Sequence, residues 1–513
     1  MRVLIFHGYL LRGTGSNVYN ASLAQALAGM GHDVHLLCQD GHAAELDWVD
    51  AIGRWDGGRL EVERVRDAAH TGTVTVYRPD IGGLLPVYVV DRYEGFEVKA
   101  FPELSDEELD RYLDTNVAAV RDVVAAAGEP EAALANHLIM GPAILARAGL
   151  RFAIKVHGSD ISYTVRPHPD RFVPYAREGT DVAAGILAGS SHTAQALFET
   201  VPDPGLPERT RLGPPGVDTE LFAPLPRGEA EARLRALATQ LATAGGTGLG
   251  RHGPDSAAAV EHLAAASGPR VVFVGKLIVS KGVDLLVAAW PLVVSEHPDA
   301  RLLLVGFGEY REAIERLLEA FGRGDLAAVR EIAARGRALE GGGEAGTLRM
   351  LEAFLAAAPG SYADAAREAA GSVALCGRLE HGEVGRLVPA VDALVFPSTF
   401  PEAFGMVAAE AAAAGVLPVS ADHSGMREVS RALAEVLPPD QRDLLSFPLG
   451  DAAVPAIADR LNRWLALDPE SRREAGAALS SRAGELWSWL GVARGVLAAS
   501  TGRIDELPPV PET

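Results

Sequence analysis

Two carboxylates and two lysines are the side chains whose types and spacing best suit chemistry. Glu402 sits in a loop punctuated by Pro397 and Pro401, and Glu410 follows eight residues later. Between them, Phe404-Gly405-Met406-Val407 opens an alanine-rich stretch that reads as a helix over 404–414, stopped by Gly415. At 3.6 residues per turn, Glu410 lies about two turns into that helix. The first-turn N–H groups of Gly405, Met406 and Val407 lack an intrahelical acceptor and make a ready anion site. Carboxylates beside a phosphate would repel it, so Glu402 and Glu410 are expected to contact something neutral and hydroxyl-rich on either side of it. The chain has only four lysines among its 47 basic residues, and places Lys276 and Lys281 in one glycine-bounded loop. Lys is a compact, mobile point charge where Arg is a rigid fork. Two such cations, together with a helix N-terminus, would suit an anionic group.

The elements expected to hold these groups are strand ends. Short apolar runs at 391–396 and 271–274 read as buried strands ahead of the carboxylate loop and the lysine loop. A third strand, 152–156, leads into His157-Gly158-Ser159-Asp160, which puts His157 at the carboxyl edge of a sheet, where open α/β folds bind ligands. At the amino terminus, strand 2–6 is followed by the loop Arg12-Gly13-Thr14-Gly15-Ser16-Asn17. A helical pattern (Tyr19, Leu23, Ala26, Leu27) and a second strand, 33–38, come next. This is the opening unit of a doubly wound sheet. The dinucleotide fingerprint is incomplete because Val18 stands where its third glycine would be, which argues against a nicotinamide or flavin site.

The segment Pro397-Ser398 through Gly415 resembles the E-x7-E motif of the retaining family 4 glycosyltransferases, with one extra residue between Pro397-Ser398 and Glu402. Other segments resemble the same family in the same order. They are the loop Gly15-Ser16-Asn17-Val18-Tyr19, the run His157-Gly158-Ser159-Asp160 and Gly216-Val217-Asp218 through Pro224. Gly275-Lys276-Leu277 through Lys281-Gly282-Val283-Asp284 follows, with Lys276 where Arg is usual. The resemblance implies an α/β protein of the GT-B fold, two Rossmann-like doubly wound domains facing across a cleft that holds the active site. The expected boundaries are 1–224 for the acceptor-side domain, 225–268 for a linker or insertion of helix and mobile chain, and 269–480 for the nucleotide-sugar domain. The latter carries a helical insertion at about 310–370. A helix at 481–500 is expected to cross back to the first domain, and 501–513 to be a disordered tail.

The resemblance also implies roles. Lys276 and Lys281 would bind the donor diphosphate, and Glu410 the ribose hydroxyls. Glu402, with the amides near Phe404, Gly405, Met406 and Val407, would hold the sugar hydroxyls. His157 and Gly15 would lie at the transferred sugar, backbone near Arg378 and Leu379 at the nucleobase, and Asn17 on the acceptor side. Glu402, His157 and Lys281 are the residues expected to carry catalysis. Transfer would proceed with retention at the anomeric carbon, by front-face attack with the leaving phosphate as base, and without a metal or other cofactor.

Bulk properties narrow the partners. The 513 residues carry a net charge of −21, which disfavours nucleic acid and gives no polybasic membrane patch. No apolar run approaches the roughly 20 residues of a membrane helix. Cys38 and Cys376 are too few for a disulfide framework, and a cytoplasmic location fits. The expected partners are a nucleotide-sugar donor and a small-molecule, glycan or lipid-linked acceptor. The alternatives are another GT-B enzyme, such as an epimerase or phosphorylase, and a non-catalytic nucleotide-sugar-binding protein. No zinc-protease helix motif, nucleophile elbow or P-loop is present.

Overall fold

The computed structural model describes residues 1–13, 15–88, 93, 95–243, 253–340 and 346–511. The chain divides into two compact units, residues 1–216 with 487–513, and residues 217–486.

In the first unit the strands are β1 (Arg2–Phe6), β2 (Asp33–Leu37), β3 (Ala51–Asp56), β4 (Arg59–Arg64), β5 (Thr73–Arg78), β6 (Leu84–Val87), β7 (Glu97–Ala100), β8 (Ala132–Asn136), β9 (Ala153–Val156), β10 (Gly185–Ala188) and β11 (Thr210–Leu212). Among the described residues they form a sheet of order β11-β10-β9-β8-β1-β2-β5-β3-β4, with β6 and β7 paired apart. All its pairings are parallel except β3 with β4. Both faces of the sheet are covered, and β1 shows how. Leu4 and Phe6 join one apolar cluster while Val3 and Ile5 join the other, the period-two alternation of a strand between two layers.

The helix Asp106–Ala127 starts as its sequence requires. Ser105 caps it by accepting the Glu108 N–H, and Glu108 reaches back to the Ser105 N–H. The helix Trp489–Ser500 returns to this unit, with the Trp489 ring edge-on to Tyr19 at 5.5 Å. Gly216 permits that approach, because a Cβ there would lie 2.5 Å from the Trp489 ring. The tail expected to be disordered is instead tied to the edge strand β11. Leu212 N–H donates to Pro508 O at 3.0 Å and Arg211 Nε to Ile504 O at 3.0 Å. Proline has no N–H but keeps its carbonyl, so it can serve an edge strand as acceptor.

The second unit has β12 (Arg270–Val274), β13 (Arg301–Val305), β14 (Val373–Gly377), β15 (Ala393–Phe396), β16 (Leu417–Ala421) and β17 (Ser446–Phe447). Among the described residues its sheet is parallel throughout, in the order β14-β13-β12-β15-β16-β17. The stretch 225–268 holds two helices, Arg227–Thr243 and Gly253–Ala264, which bury Leu234, Leu237, Leu241, Val260 and Leu263. The glycine-rich part expected there as mobile linker, 244–248, lies outside the described residues, as does the break expected at Gly341-Gly342-Gly343.

The stretch expected to be a helical insertion holds, among its described residues, the helices Arg311–Arg323, Leu326–Arg335, Arg349–Ala357 and Tyr362–Ala369. It is anchored to the helix Val283–Val294, where Tyr362 Oη donates to Ala288 O at 2.6 Å. Among the described residues no helix is long and apolar enough to cross a membrane.

Candidate active site

Each sheet reverses its winding at one point, and the candidate residues gather there. In the second unit the chain builds outward from β12 through β13 and β14, then returns to place β15 on the other side of β12. The crevice beyond the carboxyl ends of two strands at such a reversal is where open α/β sheets bind ligands. The loop after β12 carries Lys276 and Lys281, and the loop after β15 carries Glu402.

Backbone contacts hold these two loops together. Thr399 N–H donates to Ser280 O at 2.8 Å. Gly282, at φ +64°, lies so close that a Cβ would stand 2.1 Å from Pro397 O. The result is an ion pair between Lys281 Nζ and Glu402 Oε1, with both side chains about one-fifth exposed. Ser398 Oγ lies 2.7 Å from the same carboxylate oxygen. Glu402 is held from its backbone too: its N–H donates to Ser424 Oγ at 2.9 Å, and its carbonyl accepts the Gly425 N–H at 3.0 Å. Lys281 therefore already faces a carboxylate, an arrangement the sequence reading, which set it against a diphosphate, did not contain.

The helix after Glu402 runs Met406–Ala413, two residues shorter at its start than the sequence pattern indicates. Gly405 is its N-cap, at φ +109°, a conformation open to glycine and costly for Phe404 or any other L-residue. The amides of Met406 and Val407 are thus first-turn donors, while Gly405 stands just outside. Phe404 is buried. Glu410 is also buried, and its Oε1 lies 2.8 Å from His381 Nε2. Lys276 and Arg378 share one aromatic neighbour, with Lys276 Nζ 6.0 Å and Arg378 Cζ 5.6 Å from the centre of the Phe307 ring. Arg378 also pairs with Glu380 at 3.3 Å, and the Leu379 side chain is buried.

The first unit reverses between β1 and β8. His7 follows β1, and Asn136 and His137 stand at the end of β8. The buried side chains of His7, Asn17, Asn20 and Asn136 form a hydrogen-bonded chain here that ends on the partly buried His157. His7 Nε2 is 3.0 Å from Asn17 Oδ1, and Asn17 Nδ2 donates to Arg12 O at 2.7 Å. Asn20 Nδ2 donates to Ser16 O at 2.8 Å and meets His7 Nδ1 at 3.0 Å. Asn136 Nδ2 donates to Asn20 Oδ1 at 2.6 Å, and Asn136 Oδ1 lies 3.0 Å from His157 Nε2. Each amide uses its nitrogen as donor and its oxygen as acceptor, so the tautomers follow. His7 and His157 both carry their proton on Nε2, and His157 Nδ1 is left as an acceptor for a hydroxyl.

Burial, and then the neighbouring His137, Lys155 and His7, hold the His157 pKa well below the ordinary 6.5, so the ring is neutral. Burial likewise lowers Lys155, to about 7; its ammonium donates to Gly213 O. Asp160 accepts the N–H groups of Gly158 at 3.1 Å and Ile161 at 3.0 Å, and so holds the turn after His157.

Asn17 was expected on the acceptor side, but both ends of its amide are engaged within the loop. Gly15 is the first residue of the helix Gly15–Gly29, and the loop's left-handed residue is Gly13, at φ +97°. The sequence reading missed His7, Asn20, Asn136, His137 and His381. His137 combines a φ of +67° with full burial, and its ring lies 4.9 Å from that of His157 and 4.5 Å from that of Tyr88. The signal available for His7 and Asn136 was their place just after or at the end of an apolar run. Among the described residues no group of three or more His, Cys, Asp or Glu is arranged to hold a metal ion.

The hydrogen-bonded chain has a measurable consequence. Asn136→Leu leaves the buried Asn20 Oδ1 and the partly buried His157 Nε2 without their partner. At roughly 1–3 kcal/mol per orphaned group, the variant is expected to lose about 2–6 kcal/mol in urea unfolding. A midpoint unchanged from the parent would show that the chain of hydrogen bonds contributes nothing to stability.

Two family patterns, both described as glycosyl transferases group 1, match residues 361–478 and 268–333. Both matched segments lie within the second unit. Among curated proteins, the chain is similar to the GDP-mannose-dependent alpha-(1-6)-phosphatidylinositol monomannoside mannosyltransferases of Mycolicibacterium smegmatis and Mycobacterium tuberculosis. It is 26% identical over 184 residues to the former, 36% of this chain, and that match spans only 40% of the relative.

Solved structures extend the likeness to the whole chain. Sucrose-phosphate synthase of Thermosynechococcus elongatus matches with a TM-score of 0.55 at 19% identity, over 96% of each chain. The catalytic domain of starch synthase IV of Arabidopsis thaliana, bound to ADP and acarbose, matches at 0.56 and 14% identity, over 98% of this chain and 99% of that one. The fold is accordingly of the GT-B type, built from two Rossmann-like units whose sheets are parallel but for one edge pairing.

Proposed function

We propose that this protein is a retaining, family 4-type glycosyltransferase that moves a sugar from a nucleotide-diphosphate sugar to an acceptor hydroxyl. The observation that supports this most is the Lys281–Glu402 pair at the strand reversal of the second unit, inside the segments that match glycosyltransferase patterns.

In this reading the donor displaces part of the Lys281–Glu402 contact. Lys281 and Lys276 turn to the diphosphate, and Glu402, still held through its backbone by Ser424 and Gly425, accepts sugar hydroxyls. The first-turn amides of Met406 and Val407 add fixed partial positive charge. Glu410 takes the ribose, and backbone near Arg378 and Leu379 the base. In the first unit, His157 presents Nδ1 as an acceptor to a sugar hydroxyl. The bond from the anomeric carbon to the phosphate oxygen breaks, the acceptor oxygen bonds to the same face, and the departing phosphate takes the acceptor's proton. The lysines stabilise the charge that develops on that phosphate. None of these steps asks the protein to supply a metal. The acceptor is a hydroxyl-bearing small molecule, glycan or lipid-linked sugar, met in the cytoplasm.

A panel of UDP-, GDP- and ADP-linked sugars, scored for release of the free nucleoside diphosphate without acceptor, tests the proposal. Slow release from one donor is the expected result. Silence across the panel, with no thermal stabilisation by UDP, GDP or ADP, would overturn it.

A further inference from the structure

His381 is not used by the chemistry above, yet it is the residue bonded to Glu410. It is the first residue of the helix His381–Leu387, which follows β14, and its Nε2 lies 2.8 Å from Glu410 Oε1. The ring is about one-third exposed, whereas Glu410 is almost fully buried. Phe222 closes over the imidazole, with ring centres 5.3 Å apart.

We propose that His381 is a positioning residue for nucleotide recognition, which fixes the plane of the Glu410 carboxylate so that it receives the vicinal hydroxyls of a ribose. This rests on the reading of Glu410 as the ribose-binding residue. The imidazole N–H occupies one lone pair of Oε1, which leaves Oε2 and the second lone pair of Oε1 for two adjacent hydroxyls. A carboxylate on a side chain with three rotatable bonds would otherwise lose that freedom on binding, so a partner that holds it in advance favours the ligand.

The groups facing the ring make the device sensitive to pH. Burial lowers the His381 pKa, but its hydrogen bond to Glu410, the Glu410 charge and the more distant Asp218 charge outweigh it, and the net shift is upward from 6.5. Asp218 is itself held by the N–H groups of Glu220 and Leu221 at 3.0 and 2.9 Å. The charged imidazolium makes the stronger, charge-assisted bond, so ribose recognition weakens as pH rises past the His381 pKa, above 6.5.

The test compares binding of UDP, GDP or ADP, whichever the chain takes, with binding of its 2′,3′-dideoxy form by calorimetry. The parent should prefer the ribonucleotide. His381→Ala should weaken the ribonucleotide about tenfold, the loss of one charge-assisted hydrogen bond, and leave the dideoxy form unchanged. His381→Gln, which keeps a donor, should restore most of that affinity and remove the pH dependence above 6.5. Equal weakening of both ligands in both variants would overturn the proposal, by showing a merely structural role. A parent that binds both ligands equally would instead overturn the reading of Glu410, and the proposal with it. If the alanine variant does not fold, the glutamine variant's pH profile decides: a profile that still falls above 6.5 overturns the proposal.

Discussion

Glu402→Gln should lower turnover by about 10²–10³-fold, and Lys281→Ala by a similar or larger factor, with the fold retained in both. The two residues lie on different loops, and the secondary structure beneath them does not depend on their side chains. Glutamine keeps the volume of Glu402 and the Ser424 and Gly425 backbone contacts, but it loses the charge opposite Lys281 and half of the acceptor capacity for sugar hydroxyls. Lys281→Ala removes a cation from the leaving phosphate. It also leaves the Glu402 carboxylate without its counterion where an anion must sit, so donor affinity falls as well. Because the two side chains touch, their effects should not add, and the double variant should be little worse than Lys281→Ala. Steady-state release of nucleoside diphosphate at saturating donor, with circular dichroism as the folding control, measures this. Turnover within about threefold of the parent in either variant would remove the pair from the mechanism.

Acidification should destabilise the first unit steeply below pH 6.5. Burial, then the neighbouring His137, lower His7 to about 3, the Asn17 and Leu10 contacts and Asp40 only partly opposing this. Burial lowers His137 to about 3, and His157 also lies well below its ordinary value. All three are neutral when folded and take up a proton near pH 6.5 when unfolded. The unfolded state therefore binds more protons, and stability that is fully present above 6.5 is lost as pH falls. The loss continues until the folded groups titrate, near 3 for His7 and His137.

Each imidazole contributes a slope of about 1.4 kcal/mol per pH unit, so three together give about 4 kcal/mol between pH 7 and 5.5. That is a large share of the roughly 5–15 kcal/mol that stabilises a typical domain. Urea midpoints followed from pH 8 to 5 should show the fall, and His137→Phe should reduce its slope by about a third. A midpoint flat across that range would mean that the three rings are hydrated rather than buried.

The groups read correctly from sequence are those whose setting is local. The strand before each candidate loop and the eight-residue spacing of Glu402 and Glu410 both lie within a few turns of one segment. Where the local pattern was misread, a specific residue explains it. Gly405 adopts a left-handed conformation and starts the helix after itself, and the carbonyl of Pro508 gives the tail a place on β11.

Which side chains meet was a different question. Lys281 and Glu402 are 121 residues apart, and His381 and Glu410 are 29. The hydrogen-bonded chain from His7 to His157 spans four separate segments. The Lys281–Glu402 contact depends on a strand order that sets β12 beside β15, and the chain that starts at His7 depends on one that sets β1 beside β8. That order comes from how buried strands stack and how crossovers wind, not from any short pattern. The sequence by itself determined which chemical groups this protein keeps at the carboxyl ends of its strands. The tertiary structure alone decided that Lys281 rests on Glu402, that His157 offers an acceptor nitrogen and that His381 holds Glu410, because pairing across a parallel sheet joins residues the chain leaves far apart.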